Sequence, residues 1–529
     1  MTVKRIFLLL IILTVLPAAT GCLKMGKDYQ RPELGISTPT AYQHAGKGEK
    51  PVPVKRPWWH IFNSPEINRL ADRVLTYNLD IKKATARVLE MQSRFVQTRA
   101  DRFPSLDFTA ETQSQSRPIV GIIPGRTFSV RTDIHTLSLP ASFELDLWGK
   151  LARAEEAARA DLLQARENRE TILQSVVAEA ISLYLQAESC QRRIQVTEQT
   201  IDSFRRSLSL VSHRYERGLA SLLDVKQART ILAQAESALP PLRQELGIAQ
   251  QKMAVLAGKY PENRPSRPLP KDYFHQLDPV PPGLPSDLLL NRPDIRAAEA
   301  ALMALNARVG VAKASRFPKI SLTGAFGYTS DELDHLIMPE SDLWSLAAGI
   351  TQPLFHGGKL WAGQKAAEAR YRQGLVQYAK TVLTAFSEVE SALLTRKEQL
   401  ERRKRVVRFL KEAREAQRVA ESRYQRGLVD YLTVLDSQRT RFKAEDDLIL
   451  VELAILTNRV RLQRALGTGW TELSPKTNAH LNSASVELAE DLPAAGRCKA
   501  ARAQTYDDTS RPCRRRPASR RDKIGAPAG

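Results

Sequence analysis

Leu137-Ser138-Leu139-Pro140-Ala141-Ser142-Phe143-Glu144-Leu145-Asp146-Leu147-Trp148-Gly149 decides the architecture of this 529-residue chain. Leu137, Leu139, Ala141, Phe143, Leu145 and Leu147 fall on one side of an extended chain, and Ser138, Ser142, Glu144 and Asp146 on the other, because side chains alternate with a period of two. The pattern then changes. From Gly149 to Arg217 no internal Gly or Pro interrupts the sequence, so a helix over that stretch would be ~100 Å long at ~1.5 Å per residue. No globular core needs such a rod.

Three more segments alternate in the same way. Leu106, Phe108 and Ala110 oppose Ser105, Asp107, Thr109 and Glu111; Ile320, Leu322, Phe326 and Tyr328 oppose Ser321 and Thr323; Trp344, Leu346, Ala348 and Ile350 oppose Ser345 and Thr351. A Gly/Pro-rich stretch, Pro118 to Arg126, separates the first pair. Strands of about ten residues, apolar on one side and small or polar on the other, carry the signature of outer-membrane barrel strands.

The chain is an internal duplication. Leu79-Asp80-Ile81 recurs as Pro293-Asp294-Ile295 and Arg102-Phe103-Pro104 as Arg316-Phe317-Pro318, both at an offset of 214. Gly149-Lys150-Leu151 recurs as Gly358-Lys359-Leu360, Arg214-Tyr215 with Gly218-Leu219 as Arg423-Tyr424 with Gly427-Leu428, and Leu223 and Val225 as Leu432 and Val434, all offset by 209. The difference in length falls between 104 and 149. Each unit reads as short helix, two strands, long helix, medium helix.

In the first unit Pro65 to Asp101 reads as one helix, stopped by Phe103-Pro104. The long helix carries a coiled-coil seam in its second half (Ile194, Ile201, Phe204, Leu208, Val211, Tyr215), breaks at Gly218, and returns through Leu222, Val225, Leu232, Leu242, Leu246, Met253 and Leu256. Pro240-Pro241 is expected to kink the return. The second unit does the same from Gly358, through the turn at Gly427, to Leu466.

The expected divisions are a signal peptide at 1–21, an extended segment at 22–64 and a first repeat at 65–260 with strands in 105–148. A Pro-rich linker follows at 261–285, then a second repeat at 286–470 with strands in 319–355, and a basic tail at 471–529. Lys4 and Arg5 precede the apolar run Ile6 to Leu16, too short to span a bilayer, and Ala19-Thr20-Gly21-Cys22 closes it. That layout resembles a bacterial lipoprotein signal, cut before an acylated Cys22, with Ala where the motif usually has Leu. Leu23, where an Asp would hold such a protein at the inner membrane, points to the outer membrane.

The net charge of +21 is partly local. Ten basic residues from Arg497 to Lys523 stand against Asp507, Asp508 and Asp522, in a tail that reads as disordered. The body has no basic stripe with interleaved aromatics, so nucleic-acid binding is not expected. Cys190 sits on an apolar helical stripe and reads as core; Cys498 and Cys513 lie in the tail, and no cysteine has metal-ligand spacing.

Four strands cannot close a transmembrane barrel, whose smallest members have ~8, and an open sheet leaves unpaired backbone groups in lipid. Several copies must share one wall. Three give twelve strands, a wet lumen lined by the small and polar strand faces, and a helical shaft continuing it.

In order along the chain stand Asp28-Tyr29-Gln30-Arg31-Pro32, Trp58-Trp59, Glu144-Leu145-Asp146-Leu147-Trp148-Gly149, Leu284-Pro285-Ser286-Asp287-Leu288 and Arg292-Pro293-Asp294-Ile295. Gln352-Pro353-Leu354-Phe355-His356-Gly357-Gly358 and Ala465-Leu466-Gly467-Thr468-Gly469-Trp470 complete the series. Through these motifs residues 22 to 470 resemble the bacterial outer membrane efflux proteins, the TolC/OprM-like channels, and within them the NodT-type lipoproteins of resistance-nodulation-division systems. The resemblance implies an α+β membrane protein: a homotrimer with a twelve-stranded β-barrel, four strands per chain, continued by a periplasmic α-helical coiled-coil barrel. It implies an outer-membrane exit duct that passively exports small molecules, joined by a periplasmic adaptor to an inner-membrane pump, with Gly218 and Gly427 at the adaptor end. The basic extension beyond Trp470 departs from the pattern.

In that family the closed periplasmic end is a ring of Leu and Asp. The string Tyr431-Leu432-Thr433-Val434-Leu435-Asp436-Ser437-Gln438-Arg439 carries those roles to Leu432 and Asp436, with Arg439 as a possible partner of Asp436. Leu432 and Asp436 are four apart and share a helical face; an apolar ring would plug a bore and a carboxylate ring would favour cations. Taken alone, Leu432 reads equally as coiled-coil seam and Asp436 as a solvated charge.

No GxSxG, Walker A, dinucleotide fingerprint or HExxH occurs, and the eight His are scattered. Glu144 and Asp146 share a strand face, where lining a pore explains them better than acid–base chemistry. No catalytic residue, cofactor or metal is expected. The alternative of another class is a lipid-anchored periplasmic coiled-coil adaptor or scaffold without a channel of its own.

Overall fold

The computed structural model describes residues 24–35, 41–44, 57–120, 127–261 and 292–467. The expected signal peptide, Cys22, the linker beyond residue 261 and the tail lie outside the described residues. A short 3-10 turn, Trp58–Phe62, precedes helices α1 (Pro65–Tyr77) and α2 (Leu79–Ala100), then strands β1 (Ser105–Leu106), β2 (Thr109–Val120) and β3 (Thr127–Leu145). Helices α3 (Lys150–Glu216), α4 (Leu222–Leu256) and α5 (Pro293–Ala314) follow. Strands β4 (Lys319–Ser330) and β5 (Asp342–Thr351) and helices α6 (Lys359–Gln425) and α7 (Tyr431–Leu466) complete the second repeat.

The strands form one antiparallel sheet in which β1 and β2 both pair with β3, β3 with β4, and β4 with β5. β1 and β2 keep a single register: Ser105 faces Ser142, Leu106 faces Ala141 and Thr109 faces Ser138. Between them Asp107 N donates to Pro140 O at 3.0 Å, and Pro140 has no N–H to return the bond. One proline interrupts the ladder, so the sheet has the four strands that the alternation predicts.

Register places the apolar residues together. Leu139 faces Phe326, Phe143 faces Leu322 and Leu145 faces Ile320, while Phe326 faces Trp344 and Ile320 faces Ile350. Trp344 is 73%, Leu346 81% and Ile350 72% exposed, so nothing in the described chain covers this face. From Leu145 to Leu137 it stays apolar for ~27 Å of strand at ~3.4 Å per residue; beyond Leu137, His135, Asp133 and Arg131 take the same parity.

Strand limits differ from those the alternation predicts. β2 and β3 run on to Val120 and from Thr127, past the polar stretch Gln113–Arg117, because the hairpin pairs residue for residue up to Val120 against Thr127. β3 stops at Leu145, where Leu147 N turns back to Leu145 O at 3.0 Å, and β5 stops at Thr351. The single helix expected over 65–101 is two, divided at Asn78, whose Oδ1 accepts from Asp80 N and Ile81 N and starts α2 afresh.

α3 and α6 each run 67 residues without a break, and α4 continues through Pro240 and Pro241. Trp58 and Trp59, wholly buried, pack with Ile67, Val74 and Ile81 against Leu173 to Leu185 of α3 in the largest core. A second core joins Ile295 and Leu302 of α5 to Tyr378, Val382 and Leu393 of α6 and Leu462 of α7. Ile201, Phe204 and Val211 hold the expected seam, whereas Tyr215 and Leu222, next to the turn, are exposed.

Candidate functional site

Where sheet meets helix, the chain is tied by its N-terminal strap. Met25 N donates to Trp148 O at 3.0 Å, and a Cβ on Gly149, which has φ +67°, would meet Lys24 Cα at 2.9 Å. Arg153, 1% exposed, donates to Met25 O and Gly26 O at 2.9 Å each and pairs with Asp28 at 3.0 Å and Glu156 at 2.8 Å. Arg31 forks onto Glu299 at 2.8 and 2.6 Å, joined by the Tyr29 hydroxyl at 3.3 Å. Burial, reinforced by the Glu299 charge, pushes the Tyr29 hydroxyl well above the usual tyrosine range. The Asp28–Arg31 motif is thus a clamp across both repeats, and its partner Glu299, 270 residues from Tyr29, left no sequence signal.

The two carboxylates of the junction are engaged separately. Glu144 is held by Lys150 and Lys319, at 2.9 Å each. Asp146 accepts from Ala152 N at 2.8 Å, capping a helix whose N-cap glycine has no side chain to do so. They do not form an acid–base pair. Cys190 is a buried core residue, its thiol pushed up to about 12 by burial and then by Glu245.

At the far end the helix turns of the two repeats match atom for atom. Gly218 N donates to Tyr215 O and Leu219 N to Arg214 O; Gly427 N donates to Tyr424 O and Leu428 N to Arg423 O. Both glycines have positive φ, +71° and +72°, so each closes its helix in the left-handed conformation that side chains disfavour. Ser221 and Asp224 cap α4 reciprocally, and Asp430 caps α7 through Thr433 N. The two tips pack on each other through Val211, Val225, Ala228, Val434 and Leu435. Tyr431 lies 5.5 Å from the Tyr424 ring and shares a hydrogen bond with Ser207 at 3.0 Å.

Leu432 is 55% exposed, and Asp436 and Arg439 are exposed beside it, while Val434, Leu435 and Gln438 face the chain's own helices. Leu432 is therefore not part of its own chain's seam. Asp436 and Arg439 form no ion pair with each other among the described residues. The β4–β5 loop brings Glu332, Asp334 and His335 together, with ligand atoms within 4.8 Å of one another. All three are exposed.

Comparison with known proteins gives one answer. The sequence matches the outer membrane efflux protein family over residues 70–259 and 284–468. It is 35% identical over 468 residues to the toluene efflux pump outer membrane protein TtgI of Pseudomonas putida, covering 85% of this chain and 96% of that one. It is 30% identical to the cation efflux system protein CusC of Escherichia coli, covering 85% and 97%. The fold is similar to that of the solved outer-membrane channel OprN, with a TM-score of 0.78 and 29% identity over 85% of this chain and all of that one. Two tandem repeats, a two-faced sheet, rod-like helices and these likenesses lead to one conclusion: the chain belongs to the outer membrane efflux protein family.

Proposed function

We propose that three copies of this outer-membrane efflux channel close a single twelve-stranded barrel, and that their helices continue the bore into the periplasm as a coiled-coil barrel. The protein is the exit duct of a tripartite efflux system. The observation that carries closure by several copies is the open sheet: β1/β2 and β5 each have an unpaired side among the described residues, and the sheet's apolar face is bare; the number three is what the family resemblance implies. In hydrocarbon every unpaired backbone group costs several kcal/mol, and edges of neighbouring copies satisfy them.

Cys22 is the acylated residue that tethers the strap to the outer membrane. Gly218 and Gly427 lie at the end that meets the periplasmic adaptor and, through it, an inner-membrane resistance-nodulation-division pump. Leu432 and Asp436 form the closed constriction, flanked by Arg439. TtgI and CusC are named for toluene and for cations, two cargoes with no shared chemistry; a duct that is passive, non-enzymatic and leaves selection largely to the pump suits both. The family match favours this reading over a lipid-anchored adaptor or scaffold without a channel of its own.

The test is purification from outer-membrane fractions. Heat-resistant trimers with ion conductance in planar bilayers are expected, and Cys22→Ser should remain integral because the barrel holds it. Leu432→Ala or Asp436→Ala should raise the resting conductance. A delipidated protein that is a water-soluble monomer would overturn the reading.

A further inference from the structure

We propose that Lys443, with Arg439, forms a basic zone behind the constriction that makes the opened duct favour anionic cargo. This rests on the reading of Leu432 and Asp436 as lining the bore. α7 is packed on two sides and shows one exposed stripe: Leu432, Asp436, Arg439 and Lys443 are exposed, and Val434, Leu435, Gln438 and Ala444 between them are buried. Lys443 follows Asp436, and Arg439 follows Leu432, by seven residues, which is two turns of a helix in a coiled coil. Each pair therefore lies in one column, ~10 Å apart along the axis. A face that presents Leu432 and Asp436 to a bore presents Arg439 and Lys443 to it as well.

The carboxylates that could neutralise these cations are engaged elsewhere. Glu445 takes Arg414 at 3.0 Å and Arg441 at 3.1 Å, Asp446 takes Arg193 at 2.7 Å, and Asp447 lies 4.0 Å from Arg402. Arg439 and Lys443 make no ion pair among the described residues. The duplication supplies an internal control. At the offset of 209 the matching stripe of α4 reads Leu223, Gln227, Thr230 and Gln234. Leucine is kept and all charge is absent, so along this stripe the fixed charge comes from α7 alone.

In a threefold ring each of these residues occurs three times, and cations outnumber carboxylates two to one. Rings of Lys and Arg favour anions in a pore. Along the axis the Asp436 ring lies ~4.5 Å from Arg439, inside the ~8 Å screening length at physiological salt, and ~10 Å from Lys443, outside it, so the acidic ring offsets one basic ring and leaves that of Lys443 in force. The cargo this favours carries carboxylate, sulfonate or phosphate groups.

The experiment measures the reversal potential of the full-length trimer in planar bilayers under a KCl gradient, in the Leu432→Ala background. Chloride preference is expected, reduced about threefold by Lys443→Gln and inverted by Lys443→Glu, with Asp436→Asn shifting it the other way. If Asp436→Asn shifts the potential and neither Lys443 variant does, Lys443 does not face the bore and the inference fails while the constriction stands. If Leu432→Ala does not raise conductance and no variant shifts the potential, the constriction reading fails first. Heat-resistant trimers in each variant verify assembly.

Discussion

Asn78 joins two helices that are remote in sequence: its Nδ2 donates to Leu256 O at 2.9 Å, at the end of α4, while its Oδ1 accepts from the first amides of α2. α4 rises from the turn and α2 carries on toward the sheet, so the two stack head to tail with their dipoles aligned. The second repeat has Arg292 at the equivalent position, and Arg292 Nη1 donates to Ala465 O at 3.0 Å. A guanidinium cannot accept, so Asp294 Oδ1 takes Ile295 N instead. Two residues there divide the work of one asparagine.

Asn78→Ala removes the cap and the bond to Leu256 together. The expected loss is about 2 kcal/mol, the sum of ordinary values for a cap and a hydrogen bond. Asn78→Asp keeps the cap but turns an acceptor toward the Leu256 carbonyl, and should recover less than half of that. Thermal unfolding of the detergent-solubilised protein, followed by helical circular dichroism, checks both.

Gly327 makes a sharper prediction. A Cβ there would lie 2.0 Å from Leu137 O and 2.6 Å from Ser138 Cα, both backbone atoms of β3 that cannot step aside. Gly324, on the same strand, would meet nothing closer than Ser345 O at 3.4 Å. Gly327→Ala should cost upward of ~3 kcal/mol through overpacking and abolish heat-resistant trimers. Gly324→Ala should leave them intact, as electrophoresis of heated and unheated samples would show.

The rods and strands were legible because each is a pattern of its own residues: no glycine or proline between Gly149 and Gly218, and alternation through Leu137 to Leu145. The break at Asn78 was not, because asparagine is tolerated inside helices and the carbonyl that fixes it lies 178 residues away. The clamp of Arg31 on Glu299 was invisible for the same reason. At the constriction, spacing put Leu432 and Asp436 on one face, but only packing could tell which face. Val434 and Leu435 are as apolar as Leu432, and their burial against α3 and α4 leaves Leu432 outside.

Glu188 predicts a pH effect. It is 8% exposed, and burial raises its carboxyl above the usual range, outweighing Arg192 at 3.6 Å. The folded state thus binds this proton more tightly than the unfolded chain, whose value is near 4.5. Stability is full below that value and falls as pH rises toward the folded one. Glu188→Gln should raise the unfolding midpoint at pH 7 and leave it unchanged at pH 4. Equal effects at both pH values would mean the gain came from packing.

Arg214 and Arg423 are the same residue of the duplicated motif in two surroundings. Arg214 lies over the Tyr424 ring at 4.7 Å and donates to Tyr424 O at 3.2 Å, binding one tip to the other. Arg423 is exposed, as is Tyr215, the counterpart of Tyr424. Removing the stacked arginine loses a cation–π contact and a charged hydrogen bond, together about 1–2 kcal/mol at a partly buried site. Local opening of the tips should then rise about tenfold, since ~1.4 kcal/mol is a factor of ten. Hydrogen exchange over residues 207–225 and 424–435 should accelerate in Arg214→Ala and not in Arg423→Ala. Equal acceleration in both would mean that the tips are held by their apolar contacts alone, with no part for the clasp between repeats.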